Sequence, residues 1–526
     1  MNLNEKKSQQ SSNKLNQLVN YISTLINDGK YDKALKEMEK FERRNPNDQN
    51  LKINKVGFLI DIGFNLNNLD LVKRGLKIGE ETLNSQTANK DKASIYYNLA
   101  NGYFSLFTLS ESKSGIETIP QSRNLQKAKS CYRSAIELFD EYDFNLKKRL
   151  WVNYGNCLSV LGRKVEALYA FNKALSIGKN FSLAIGGRAN CLCSFADISR
   201  QYGKQIYIEA YQAIKSIIDK PDLIDFGGIA AKQKFESVLK RIESLFKNKK
   251  ELIRISEYVK YDSTQFSDFE KFYIDFCAKE KLFLNFHIHQ EDCEAAITDP
   301  IFINEVITPI EDDETFYNLA RYINQIKEDY AVARLLLAQS QYKREDFDRI
   351  SKRTTFVYCL DYSKFNLYVG LLKSSFKESY NILDKIAVFI NTYCNLGLEE
   401  DKIYFISIWE KKKNEKIGDE LLKYKNISLY ALYDIFLDFK SGYYKKIQNI
   451  RNTLTHRKLV IYDYSLSEVD EKDNIGYYAM LNETIELLRL TKSAIIYLIN
   501  FVNNNENRKT KAGPTLPIYV DTSQFL

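Results

Sequence analysis

One stretch constrains this chain more than any other: RLWVNYGNCLSVLGRKVEALYAFNKALSIGKNF, within Lys148 to Phe181. Trp151, Tyr154, Gly155, Leu158, Gly162, Ala167, Phe171 and Ala174 fall in it at the spacing of two short antiparallel helices joined by a tight turn. Gly155 and Ala167 are small where two such helices touch, Gly162 sits at the turn, and the aromatics fill the space between neighbouring units. A lone hairpin of this kind cannot bury its apolar face, so the stretch predicts an array with a period of about 34 residues.

Weaker units stand in phase with it. Gly29, Ala34, Met38, Phe41 and Pro46 give the second helix and closing proline of a first unit, and residues 49–90 hold a degenerate second. Leu99, Ala100 and Tyr103, then Ala128, Tyr132 and Ala135, give a third, split by a polar insertion near Thr108–Asn124. Ala189 and Leu192, then Ala210, Ile214 and Pro221, give a fifth with a lengthened turn. Together these positions resemble the tetratricopeptide family over residues 15–245, behind a flexible start at 1–14. The resemblance implies a curved α-solenoid whose concave face takes a protein or peptide partner. Only 7 Pro and 21 Gly in 526 residues fit an all-α chain, because helices tolerate both poorly.

Several classes are excluded early. The longest apolar run, near Ala494–Val502, is far shorter than the ~20 residues that span a bilayer, so no membrane partner is expected. The first residues, MNLNEKKSQQSSNK, lack the apolar core of a secretory leader. The eight cysteines are scattered without a CxxC pair, which argues against a disulfide framework or zinc ribbon and for a reducing cytoplasm. A formal charge of +8, from 76 basic against 68 acidic residues, is mild, so nucleic-acid contact requires a local basic patch.

The repeat phase stops in a charged stretch, KNKKELIRISEYVK, placing a boundary at 246–265. Beyond it, LFLNFHIHQEDCEAAITDPIFI alternates like extended structure with an Asp-Pro turn. Phe316, Leu319, Ile323, Ile326, Tyr330, Ala333 and Leu337 then form a helical stripe, starting from the acidic run Glu311–Glu314 that suits a helix N-terminus. Further helices are expected across Lys364–Leu396, Ser428–Thr455 and Asn474–Val502, followed by a loose polar tail at 503–526.

No phosphate-cradling glycine loop, dinucleotide fingerprint, zincin motif or nucleophile elbow is present. Histidine is scarce: His287, His289 and His456. His456 lies in KKIQNIRNTLTHRKLV, where Arg451 and Asn452 precede it. From Lys440 to Ile461 there are six basic residues (Lys440, Lys445, Lys446, Arg451, Arg457 and Lys458) and no acidic one. That is a phosphate-attracting patch, with Tyr443 and Tyr444 placed for base stacking. Asn452 and His456 share a helical face at i and i+4, so the amide is placed to orient the imidazole. Arg451 stands about 140° round the helix from His456, so joint action needs a long reach, a local break or a second subunit.

RNTLTH resembles the R-x4–6-H motif of the HEPN ribonucleases, the higher eukaryote and prokaryote nucleotide-binding domains. SYNILDKIAVFINTYCNLGL, ISLYALYDIFLDF and TKSAIIYLINFV, flanking it in order, resemble a prokaryotic HEPN branch in which an N-terminal tetratricopeptide half is common. The resemblance covers 266–502 and departs at Thr455, where the family favours an acidic residue. It implies a HEPN-type helical bundle with metal-independent endoribonuclease activity and no cofactor. His456 would be the general acid/base, Arg451 would stabilise charge at phosphorus and Asn452 would orient the two. Lys445, Lys446, Arg457, Lys458, Tyr443 and Tyr444 would bind RNA. A single motif per chain implies a homodimer, and the architecture suits a toxin or abortive-infection effector triggered through the repeats. The alternative is a non-catalytic adaptor whose basic helix docks RNA or an acidic protein.

His287, His289 and Cys293 form H-x-H-x3-C without an evident fourth ligand, so a metal is not expected there. On a strand both histidines would face one side, leaving them to line the RNA cleft or to pack in the core. Asp384 and Lys385 fall within the HEPN-like stretch and read equally well as a polar pair on a core helix.

Overall fold

The computed structural model describes residues 3–45, 49–84, 88–139, 144–199, 202–253, 259–287, 293–303, 313–357, 359–410, 416–463 and 473–509. It divides into two compact units: Met1–Cys191 with Ala210–Leu252, and Leu192–Glu209 with Ile253–Leu526. The first departs from an uninterrupted repeat region because 192–209 belongs to the second, where Phe195 stacks on Phe286 with ring centres 4.2 Å apart.

The first unit is built of helical hairpins. Helices α1 (Leu3–Asn27) and α2 (Tyr31–Arg44) pair, as do α3 (Gln49–Asn65) and α4 (Leu69–Leu83). So do α5 (Asn89–Leu106) and α6 (Arg123–Leu138), and α7 (Phe144–Val160) and α8 (Lys164–Ile177). Helix α1 begins at Leu3, ahead of the boundary expected at 15. The clearest sequence unit is the α7–α8 hairpin. A Cβ on Gly155 would stand 2.9 Å from the Phe171 ring, and Gly162 makes the turn with φ +84°. The polar insertion winds into a π-helical turn at Phe107–Glu111 and 3-10 turns at Ser112–Ser114 and Ile116–Gln121. Helices α9 (Ser182–Cys193), α10 (Gly203–Lys215) and α11 (Pro221–Leu245, kinked at Gly228) complete the series.

The second unit opens with α12 (Asp268–Lys279), started by a capping box between Ser267 and Glu270. The described residues of the next segment, 282–287 and 293–303, form bends, an isolated bridge at Cys293 and a 3-10 turn at Glu294–Ile297, and no regular strand lies among them. Long helices follow: α13 (Asp313–Gln341), α14 (Glu345–Ser351), α15 (Leu367–Cys394), α16 (Asp419–Leu422), α17 (Ile427–Lys440), α18 (Lys445–His456) and α19 (Tyr477–Glu506). Leu319, Ile323, Ile326, Tyr330, Ala333 and Leu337 are buried as their stripe predicts, whereas the Phe316 side chain lies outside the described residues.

Helices α13, α15, α17 and α19 pack into the bundle, and α18 lies on α15. Polar links pin their register: Ser375 Oγ donates to the Ala333 carbonyl at 2.7 Å, Thr491 Oγ1 to that of Ser379 at 3.0 Å, and Asn500 Nδ2 to Ser428 Oγ at 2.7 Å. Buried Arg334 makes a two-pronged ion pair with Asp299, at 2.9 and 2.7 Å, tying the irregular segment to α13.

Two expectations are corrected. The stretch expected as one helix over Ser428–Thr455 is two, α17 and α18, because Gly442 takes φ +86° and turns the chain. The tail expected from Asn503 begins later: α19 runs to Glu506, with Asn503 buried and donating to the Phe302 carbonyl at 3.2 Å. Residues 510–526 lie outside the described residues. After α18, β1 (Val460–Tyr462) pairs in parallel with β2 (Asn474–Gly476), and Lys373 of α15 donates to the Leu459 carbonyl at 2.6 Å. Both contacts fix where the end of α18 points.

Candidate active site

Helix α18 forms because Ile447, Ile450 and Thr453 turn one side inward, leaving its polar residues on the other. Its first turn carries Lys445 and Lys446, where the helix dipole disfavours cations. Lys446 is offset by an ion pair with Glu483 of α19 at 3.2 Å, whereas among the described residues Lys445 has no such partner.

A cleft of about 810 Å³ opens between α18, α15, the α17–α18 turn and the loop 404–406. Arg451, Asn452 and His456 all line it, with Lys445, Gln448, Asn449, Tyr380 and Asp384. The half-buried Arg451 guanidinium lies over the Tyr380 ring, 5.3 Å from its centre. Arg451 Nη1 donates to Asn452 Oδ1 at 3.2 Å, and the Thr455 hydroxyl donates to the Arg451 carbonyl at 2.8 Å. Asn452 thus holds Arg451, and no hydrogen bond joins it to His456, the exposed last residue of α18. Despite the 140° offset, both side chains line the one cleft, with the arginine against Tyr380 of α15.

Asp384 lines the same cleft, within reach of the arginine's charge. Burial raises its carboxyl pKa, opposed by the Phe405 N–H that it accepts at 2.8 Å and by the charge of Arg451. Burial pushes the Tyr380 hydroxyl up to about 12, with Asp384 adding to the shift and Arg451 opposing it. Lys440 also lines the cleft, but both Glu410 carboxylate oxygens hold its ammonium at 2.8 Å. Of the cleft's two lysines, Lys445 is therefore the one with charge to spare for a phosphate.

The other expected residues are placed elsewhere. Tyr443, Tyr444, Lys446, Arg457 and Lys458 do not line the cleft. Tyr444 is held between Phe439, at 5.0 Å, and Tyr443, at 4.9 Å, while Arg457 and Lys458 are exposed beyond the helix end. His287 does not line the cleft either: it is 3% exposed, its ring edge-on to Tyr202 and its backbone N–H donating to Asn285 Oδ1 at 3.1 Å. It packs inside the fold because the segment bends there and does not run as an exposed strand. His289 lies outside the described residues. Among the described residues no three His, Cys, Asp or Glu side chains converge as metal ligands, and no helix is long and apolar enough to cross a membrane.

Sequence reading missed Tyr380 and Asp384 as site residues, and Tyr404 and Ile406 with them. Lys385, the neighbour of Asp384, instead pairs with Asp329 of α13.

The second unit is thus a helical bundle that carries an arginine and a histidine five residues apart on one cleft-lining helix. Residues 310–505, from just before α13 to near the end of α19, match the LA2681-like HEPN family, and the chain carries a HEPN domain behind a tetratricopeptide-like region. Among solved structures, a thermophilic tetratricopeptide-repeat protein of Thermus thermophilus is 19% identical, covering 43% of this chain and 98% of its own, with a TM-score of 0.31. The C-terminal part of a repeat-containing protein from Cytophaga hutchinsonii is 13% identical, covering 45% and 98%, with a TM-score of 0.19. No curated protein matches significantly.

Proposed function

We propose that this protein is an endoribonuclease that cleaves RNA by attack of the ribose 2′-hydroxyl on the adjacent phosphorus. What supports the reading most is that Arg451, Asn452 and His456 share one cleft, with Arg451 held by Tyr380 and Asn452 and not neutralised by an ion pair among the described residues. The nucleophile belongs to the substrate, so the chemistry needs a proton acceptor, a proton donor and stabilisation of charge at phosphorus. The His456 imidazole removes the 2′-hydroxyl proton. The new O–P bond forms as the P–O5′ bond breaks, and Arg451 offsets the added negative charge. Protonation of the departing O5′ leaves a 2′,3′-cyclic phosphate and a 5′-hydroxyl.

In-line displacement puts the attacking and leaving oxygens on opposite sides of phosphorus, which one imidazole does not span. A homodimer supplies the second, so that His456 of the partner subunit acts as the acid. The repeat region is the seat of control: a protein or peptide trigger there acts through its differential affinity for active and inactive pairings. An effector of the toxin or abortive-infection type, working in the cytoplasm, accords with this arrangement.

The test uses purified full-length protein and end-labelled single-stranded RNA. Wild type cuts to cyclic-phosphate ends, while Arg451→Ala and His456→Ala lose at least about a hundredfold in rate. His456→Ala keeps its affinity, and that affinity falls with salt. Equal cleavage by all three proteins sinks the catalytic assignment, and binding without cleavage by wild type favours the adaptor.

A further inference from the structure

Part of the cleft lining is apolar. Tyr404 and Ile406 belong to it and are each 47% exposed, while Phe405 between them turns inward and is buried edge-on to Trp409 at 5.6 Å and Phe439 at 6.3 Å. Two large side chains at i and i+2 are thus presented to a cleft that Asp384, Lys440, Lys445, Gln448, Arg451 and His456 also line.

That part of the lining is also clamped. Asp384 accepts the Phe405 N–H at 2.8 Å, Ser407 Oγ accepts the Tyr404 N–H at 3.0 Å, and the Ser407 N–H donates to the Tyr404 carbonyl at 2.9 Å. These bonds preset the backbone that carries the tyrosine, so less order is lost when a flat ligand lies against its ring.

Other aromatic candidates are occupied. The Tyr380 ring carries Arg451, Phe439 is buried, Tyr444 is held between two rings, and Tyr443 lies outside the cleft lining. Among the described residues, Tyr404 is the aromatic that both lines the cleft and offers substantial exposed surface.

We propose that Tyr404 and Ile406 form a nucleobase subsite, in which an unpaired base of single-stranded RNA packs on the clamped 404–407 turn while its phosphate faces Arg451, Lys445 and His456. This rests on the ribonuclease reading of the same cleft. The volume of about 810 Å³ is in the range of small-ligand sites and accommodates splayed nucleotides, the form in which single-stranded RNA offers its bases. Stacking on a tyrosine accepts any base, so the subsite fixes the register of the strand more than its sequence.

The test measures binding by full-length protein in the His456→Ala background, so that substrate survives. One probe is a labelled single-stranded RNA and the other a ribose-phosphate oligomer of equal length without bases. Tyr404→Ala weakens RNA binding roughly ten- to a hundredfold, Tyr404→Phe restores it, and neither changes binding of the base-free oligomer. Unchanged RNA binding by Tyr404→Ala, or equal losses on both probes, overturns the subsite. If that happens while the His456-containing protein still cleaves RNA, the ribonuclease reading stands without it. If wild type neither binds nor cleaves RNA, both fall.

Discussion

The guanidinium of Arg451 and the ring of Tyr380 face each other across α18 and α15, 5.3 Å from charge centre to ring centre. Tyr380 is 5% exposed, so the cation rests on a buried, immobile face. That contact does for position what a salt bridge would do, without cancelling the charge. A partly desolvated cation–π contact is worth about 0.5–2 kcal/mol, or roughly two- to thirtyfold in rate if all of it serves to place the arginine. Tyr380→Leu keeps the site apolar and removes the ring, so kcat on RNA should fall by that factor. Arg451→Lys should fall further, since an ammonium has no planar face to stack and no fork for phosphate. Single-turnover cleavage separates the two effects, and full activity in Arg451→Lys would show that charge alone suffices.

Gly442 sets the angle at which α18 leaves α17. Its φ of +86° is costly for residues with a Cβ, and the space around its Cα is open, so the cost of substitution is one of backbone conformation. Gly442→Ala should lower stability by about 1–2 kcal/mol, and Gly442→Asn by less, because asparagine tolerates the left-handed region. Cleavage should follow the same order, since Ser441, Gly442 and Lys445 line the cleft. Urea melts and initial rates on the two variants check both rankings. Equal effects of Ala and Asn would remove backbone strain as the cause.

The legible parts of this chain are those with local rules. The α7–α8 hairpin was readable because Gly155 and Gly162 answer to contact and turn geometry inside one unit. The α13 stripe was readable because period alone fixes which face is buried. Arg451, Asn452 and His456 could be singled out because they are neighbours on one helix. Tyr380 and Tyr404 could not, since their place in the cleft depends on how α15 and the 404–407 turn pack against α18, a relation between distant segments. His287 and Lys446 show the converse dependence on packing. Their residue types suggested a site, whereas packing against Tyr202 and pairing with Glu483 occupy them.

Lys492 offers a pH test of the bundle. It sits on α19, 1% exposed, and donates to the Lys281 carbonyl at 3.1 Å. Burial pushes its ammonium down to about 7, opposed by Asp299 and reinforced by Arg334, Lys281 and Arg489. In the unfolded chain it titrates near 10.4, so between about pH 7 and 10 the unfolded state binds more protons than the folded one. Stability from this group therefore rises with pH across that window, by at most about 1.4 kcal/mol per unit, and is flat below it. Lys492→Met removes the buried charge and should stabilise the protein by about 1–4 kcal/mol at pH 7. That advantage should shrink towards about pH 9.5 as the wild-type lysine becomes neutral. Paired urea melts at the two pH values measure the change, and an advantage that stays constant would mean that Lys492 keeps its ordinary titration inside the fold.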